Sequence, residues 1–253
     1  MSIEEPVWQD LAGRLDRAQQ AAEPIAQLTA SADLDAPAAY RVQADLVARR
    51  TGRGERLAGL KLGLTSQAKM AQMGVHEVIW GRLTDAMQIP DGGTVELGQY
   101  VHPRVEPELA FLLTGQDGPA GSPVRAVAPA LELIDSRYRD FRFTLPDVIA
   151  DNTSAAGFVV GQWQPVPAGL ANLGVLLEVD GRVVQTGSTA AILGDPLRAL
   201  RQGLRLAAGA GVRPVDGWVF LAGAATAAVP LAPGAHVRAV VEGLGTASLG
   251  AAA

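Results

Sequence analysis

The chain contains no cysteine. Disulfides, thiolate metal sites and cysteine nucleophiles are thereby excluded together, and the composition suits a reducing compartment such as the cytoplasm. Histidine is scarce: His76, His102 and His236 are the only three, and they lie far apart in the chain. No Lys/Arg cluster is present and the net charge is -5, which argues against a nucleic-acid partner. No run of about 18 apolar residues occurs, so no membrane span is expected. The acidic first ten residues lack the basic-then-apolar pattern of a signal peptide. Dinucleotide and phosphate-loop fingerprints are missing, as is the G-x-S-x-G elbow of serine hydrolases.

What remains is ample for a core. Hydrophobic residues make up 48% and charged residues 19% of 253 positions, the profile of one medium domain or of one domain with a small appendage. Of 21 basic residues, the only lysines are Lys61 and Lys69, so each invites the question of what it does.

Residues 7–28 read as a helix. A second runs from about 35 to 52, with Asp35 as N-cap and Pro37 in its first turn. Beyond residue 57 glycine, valine and proline become frequent and apolar runs shorten. Strands are expected at 57–64, 94–97, 105–113 and 130–134, with a short helix at 66–73. Asp180-Gly181 supplies the turn of a hairpin joining 173–179 to 182–186. Asp195-Pro196 opens a helix to about 208, and three more short strands are expected within 218–248. The pattern is that of a β-rich core with a helical N-terminal appendage.

The most informative stretch is His102-Pro-Arg-Val-Glu106-Pro-Glu108-Leu-Ala-Phe-Leu-Leu113. In a strand, Glu106 and Glu108 share a face with Ala110 and Leu112. A second acid, Glu132, sits within Ala130-Leu-Glu-Leu-Ile134. Three carboxylates without sulfur or clustered imidazole make an all-oxygen set, suited to Mg²⁺ or Mn²⁺. On pattern alone a solvated acidic face is the more common outcome for paired Glu on a strand, and Glu132 could instead be a buried partner of Arg104 or Arg137. Lys61, in an apolar glycine-flanked strand, either snorkels outward or is held near a carboxylate. Ser154 is a substrate contact or a turn serine, and the segment ending at Thr226 reads as a turn.

Taken in order, five motifs bear a family resemblance: Gly59-Leu-Lys-Leu-Gly-Leu-Thr-Ser66, Lys69-Met-Ala-Gln-Met-Gly-Val75, Arg104-Val-Glu-Pro-Glu108, Leu131-Glu-Leu-Ile-Asp-Ser-Arg-Tyr138 and Ala150-Asp-Asn-Thr-Ser154. From about residue 36 to 250 the chain resembles the 2-keto-4-pentenoate hydratase and 4-oxalocrotonate decarboxylase family of the fumarylacetoacetate hydrolase superfamily. The resemblance implies an α+β fold, with a helical N-terminal part (residues 1–55) packed on a mixed, twisted β-roll that forms the catalytic domain (56–253). It implies a Mg²⁺ or Mn²⁺ site at Glu106, Glu108 and Glu132, with Lys61 in a catalytic role. Substrate contacts are implied at Ser154 and Thr226, with Leu64, Ile79 and Trp80 lining the substrate side. Ile79 and Trp80 stand where hydratases carry Asp-Phe, and this favours a decarboxylase of 2-oxohex-3-enedioate over a hydratase. A non-catalytic partner subunit is the reading from another class. The resemblance further implies a homo-oligomer and a complex with the hydratase of the next step.

Overall fold

The structure is a computed structural model that describes residues 5–66, 70, 77–115 and 123–253. Two helices lead the chain: α1 (Glu5–Ala21) and α2 (Ala36–Gly52). The first stops earlier than its composition suggests, because Ala22 takes a left-handed φ of 52° and Pro24 follows. Asp35 caps α2 as expected, its side chain accepting from the Ala38 N–H at 2.8 Å. The helix expected at 66–73 and the residue His76 lie outside the described residues, apart from Ser66 and Met70.

Thirteen strands follow among the described residues: β1 (Leu57–Gly63), β2 (Ile79–Thr84), β3 (Gln88–Ile89), β4 (Thr94–Glu96), β5 (Arg104–Thr114), β6 (Val124–Ile134), β7 (Ala155–Val160), β8 (Gly174–Val179), β9 (Arg182–Ser188), β10 (Asp216–Leu221), β11 (Val229–Pro230), β12 (His236–Val241) and β13 (Gly245–Ala252). Two more helices, α3 (Leu145–Ala150) and α4 (Pro196–Gly209), sit between them. The larger sheet has the order β2-β1-β10-β5-β6-β7-β3, with β11 paired to β5; the smaller runs β4-β13-β12-β8-β9. Parallel pairs (β1 with β10, β3 with β7, β4 with β13) interrupt otherwise antiparallel ladders, so both sheets are mixed.

Leu131, Leu133 and Val159 of the larger sheet meet Val237, Ala239 and Leu249 of the smaller one in a shared apolar layer. On the other flank α4 buries Ala199, Leu200, Gly203 and Ala207. Here Gly203 is required, since a Cβ would stand 2.5 Å from the Phe220 ring. The N-terminal helices complete a third cluster, in which Leu15, Val42 and Leu46 pack with Ile79, Tyr138 and Ile149. Gln43 of α2, fully buried, donates to the carbonyls of Trp80 and Ile149 at 3.0 and 2.9 Å and ties the helical part to β2 and α3. The architecture is thus α+β, with helices packed on curled, mixed sheets.

Gly59 marks the tightest strand contact: a Cβ there would lie 2.0 Å from the Val219 carbonyl oxygen on β10. Gly59→Ala must therefore push β1 and β10 apart. The expected loss is about 1–3 kcal/mol, read as a Tm lower by about 3–10 °C in a chain of this size.

Candidate active site

Directly opposed residues on an antiparallel ladder share a face. The β5–β6 register sets Glu106 opposite Glu132 and Glu108 opposite Ala130. Glu106 and Glu108, two apart, share that face too. Each carboxylate offers one oxygen within 4.8 Å of the other two. The three residues are 5%, 1% and 0% exposed, which removes the solvated-face alternative.

Glu132 pairs with neither Arg104 nor Arg137. Its partner is Lys61, whose Nζ lies 2.9 Å from Oε1. Lys61 also donates to the Thr153 carbonyl at 2.9 Å and is itself buried. On the sheet two strands separate Lys61 from Glu132, so only strong curl brings them together. The Gly223 N–H donates to Glu108 Oε2 at 2.8 Å. Glu108 Oε1 and Glu132 Oε2 are buried with no hydrogen-bond partner.

Burial pushes the Glu132 carboxyl up to about 7, with Glu106 adding to the rise and Lys61 opposing it. Glu108 is raised well above the usual carboxylate range by burial and by its two acidic neighbours. When ionised, the three carboxylates and Lys61 together carry two negative charges in a site buried from bulk solvent. Hard oxygen donors, orphaned buried lone pairs and that residual charge all fit a small divalent cation.

The second half of the site is a turn. Asn152, Thr153 and Ser154 all have left-handed backbone, at φ 48°, 54° and 58°. Three such residues without glycine cost about 1–2 kcal/mol each, so their surroundings must impose the shape. Arg137 and Asp151 do much of this. Both are buried; the Arg137 Nε is ion-paired to Asp151 Oδ1, and its backbone N–H donates to Oδ2 at 3.0 Å. The guanidinium also donates to the carbonyls of Asp135 and Asp151, each at 2.5 Å. Asn152 then acts as a strand neighbour for β2: its Oδ1 accepts from the Arg82 N–H and its Nδ2 donates to the Arg82 carbonyl, both at 2.8 Å. Thr153 Oγ1 donates to the Trp80 carbonyl at 2.9 Å. These bonds close the curled sheet, and Gly63 and Gly81 permit it, since a Cβ at either would stand 2.6 Å from the turn.

A cavity of about 630 Å³ opens beside this turn. Lys61, Glu106 and Ser154 give it a polar end, and Leu64, Ile79, Ile134 and Val148 an apolar wall. The Ser154 Oγ is buried there without a hydrogen-bond partner. Leu64 is held inward by a left-handed φ of 58°. Trp80 does not line the cavity. Both residues lie on strand β2, so neighbours alternate: Ile79 faces the cavity while Trp80 stacks on Tyr40 with ring centroids 5.4 Å apart. Thr226 lies next to the lining residues Ala227 and Ala228, with its hydroxyl donating to the Ala227 carbonyl at 3.1 Å. Arg137, Asp151 and Asn152 stood inside recognisable motifs, yet their mutual dependence was invisible in sequence. Asp151→Asn leaves a buried guanidinium short of its counter-charge, and the expected cost is about 3–5 kcal/mol in denaturant unfolding.

No family model matches the chain. Curated relatives do. A 4-oxalocrotonate decarboxylase of a Pseudomonas species is 52% identical over 244 residues, covering 94% of this chain and 95% of that protein. A 2-keto-4-pentenoate hydratase of Paraburkholderia xenovorans is 34% identical over 249 residues, covering 94% and 92%. Among solved structures, 4-oxalocrotonate decarboxylase from Pseudomonas putida G7, complexed with magnesium and adipate, superposes with a TM-score of 0.93 at 35% identity over 99% of each chain. With identity at this level along nearly its whole length, the chain belongs to the family of 4-oxalocrotonate decarboxylases and 2-keto-4-pentenoate hydratases.

Proposed function

We propose that this protein is a carboxy-lyase that releases CO₂ from 2-oxohex-3-enedioate (4-oxalocrotonate), forming 2-oxopent-4-enoate or its dienol in the meta-cleavage breakdown of aromatic compounds. The observation that carries this reading is the buried carboxylate trio with orphaned oxygens, one member of which, Glu106, lines a largely apolar cavity. Relatives named as 4-oxalocrotonate decarboxylases support it, one of them at 52% identity. Glu106, Glu108 and Glu132 would hold Mg²⁺ or Mn²⁺. The ion, when bound, supplies Lewis-acid stabilisation of negative charge on the substrate's ketone oxygen.

The chain's own residues do the rest. In the substrate, the bond between C5 and the C6 carboxylate breaks, CO₂ leaves, and the electron pair moves through the C3–C4 unit to the ketone oxygen; uptake of one proton from solvent on that oxygen gives the dienol, and on C3 gives 2-oxopent-4-enoate. Lys61 is the catalytic cation. Two of its three hydrogens are held by Glu132 and Thr153, and the third is left for the substrate oxygen. Ser154 offers an unsatisfied hydroxyl to the bound acid. Thr226, at the cavity's edge, helps position it. Leu64 and Ile79 exclude water, which destabilises a carboxylate relative to neutral CO₂ and denies the dienolate a hydrating molecule. Trp80 contributes from behind by fixing β2. Residues 1–55 serve as a helical cover on the catalytic roll, 56–253.

The working form is proposed to be a cytoplasmic homo-oligomer, supported by the absence of cysteine and by exposed Val183 and Val184 on the edge strand β9. A complex with the hydratase that consumes the labile dienol fits the same chemistry. Among the described residues no helix is long and apolar enough to cross a membrane.

Incubation with Mg²⁺ and 2-oxohex-3-enedioate should release CO₂. Turnover of 2-hydroxypenta-2,4-dienoate alone would instead identify a hydratase. Glu106→Gln and Glu132→Gln should each lower kcat/KM by about 10²-fold or more while circular dichroism stays unchanged; full activity in either variant rejects the ligand assignment. Because burial pushes Glu132 up to about 7 and raises Glu108 as well, a bound cation must displace protons as the pH falls. Calorimetric Mg²⁺ affinity should therefore weaken on going from about pH 8 to pH 6, approaching tenfold per unit for each proton displaced.

A further inference from the structure

Arg104 plays no part in the site so far. It lies on β5 two residues before Glu106, so it shares the face of Glu106 and Glu108, and it lines the same cavity. It is half-buried. Among the described residues no carboxylate lies within ion-pairing distance of it. Asp140, on the same cavity wall, is exposed and does not pair with it. What holds the guanidinium is an aromatic face: its Cζ sits 4.5 Å from the Phe141 ring centroid. Phe141 is fixed in turn against His102 and Phe143, with centroids 5.0 and 5.7 Å away. Its backbone, like that of Asp140, is left-handed at φ 58°. A non-glycine pair in that conformation is costly and serves here to lay the ring under the arginine.

A half-buried cation, pre-oriented on a ring and facing a cavity without a counter-ion, calls for an anion from the ligand. Its spacing suits one in particular. Two residues of strand separate Arg104 from Glu106, about 7 Å. A six-carbon acid whose C1 and C2 oxygens sit at the carboxylate trio carries its far carboxylate about 5 Å beyond C2, a distance the flexible arginine side chain accommodates. We infer that Arg104 binds the distal carboxylate of the substrate and makes the cavity select dicarboxylates over monocarboxylic 2-oxo acids. This deepens the function proposed above and rests on it. The leaving carboxylate loses its charge as CO₂ forms, so the pair is stronger in the ground state than in the transition state. Arg104 therefore acts through substrate affinity and not through the chemical step.

The test compares 2-oxohexanedioate with 2-oxohexanoate, which differ only in the far carboxylate, by calorimetry on the Mg²⁺-loaded enzyme. Wild type should prefer the diacid. Arg104→Met should weaken the diacid by about 10- to 100-fold and change the monoacid less than about twofold, with Tm and Mg²⁺ affinity retained. Arg104→Lys, which restores charge without the planar stack, should recover part of the loss. The same change at Arg201, an exposed residue of α4 that does not line the cavity, should leave the preference intact. In turnover, Arg104→Met should raise KM for 2-oxohex-3-enedioate with kcat unchanged or higher. Equal weakening of both ligands, or of neither, overturns the inference. Wild type that releases CO₂ but binds diacid and monoacid alike overturns it and leaves the decarboxylase reading standing; absence of both CO₂ release and binding of either acid overturns both.

Discussion

Three carboxylates on one face of a β-ladder, walled off from water, are the constraint to which the rest of the site answers. Desolvation and neighbouring acids both oppose ionisation of Glu108 and Glu132, and Lys61 offsets only part of that. The arrangement becomes favourable when a divalent cation supplies the remaining charge. Much of the surrounding structure keeps these oxygens convergent and dry: the Gly223 N–H on Glu108, the curl that carries Lys61 to Glu132, and the close strand contacts permitted by Gly63 and Gly81.

The left-handed turn at Asn152 to Ser154 is the second requirement. It closes the curled sheet by standing in for a missing strand beside β2, and it presents the Thr153 carbonyl to Lys61 and the Ser154 hydroxyl to the cavity. Its shape is imposed by the Arg137–Asp151 pair, which makes no contact with the cavity and whose influence on chemistry passes entirely through backbone geometry. A buried pair of this kind adds little net stability over an apolar substitute; its value here is to select one backbone conformation.

The aromatic group around Phe141 extends the same logic to the far end of the cavity. His102, Phe143 and Arg104 converge on one ring, so one face of β5 brings the cavity an acid, Glu106, and a guanidinium two residues away. That order matches the charge order of a keto diacid.

Local rules were sufficient for much of this protein. Period-two alternation marked β5 and the acids on it, Asp-Pro and Asp-Gly marked the start of α4 and the β8–β9 turn, and the lack of sulfur and clustered imidazole left an all-oxygen site as the metal option. Those signals lie within a few residues of one another and need no partner. Other features required the folded chain. Whether Glu106 and Glu108 faced solvent depended on the layer packed above them. Glu132 joined them through the β5–β6 register, and Lys61 was delivered to Glu132 by sheet curl rather than by any sequence spacing. The separation of Ile79 from Trp80 followed from β2 being a strand, a state imposed by pairing with β1 and by the Asn152 clamp. Motifs in the sequence named the residues; long-range pairing decided which of them share a space, because register and closure are set by contacts between segments that are far apart along the chain.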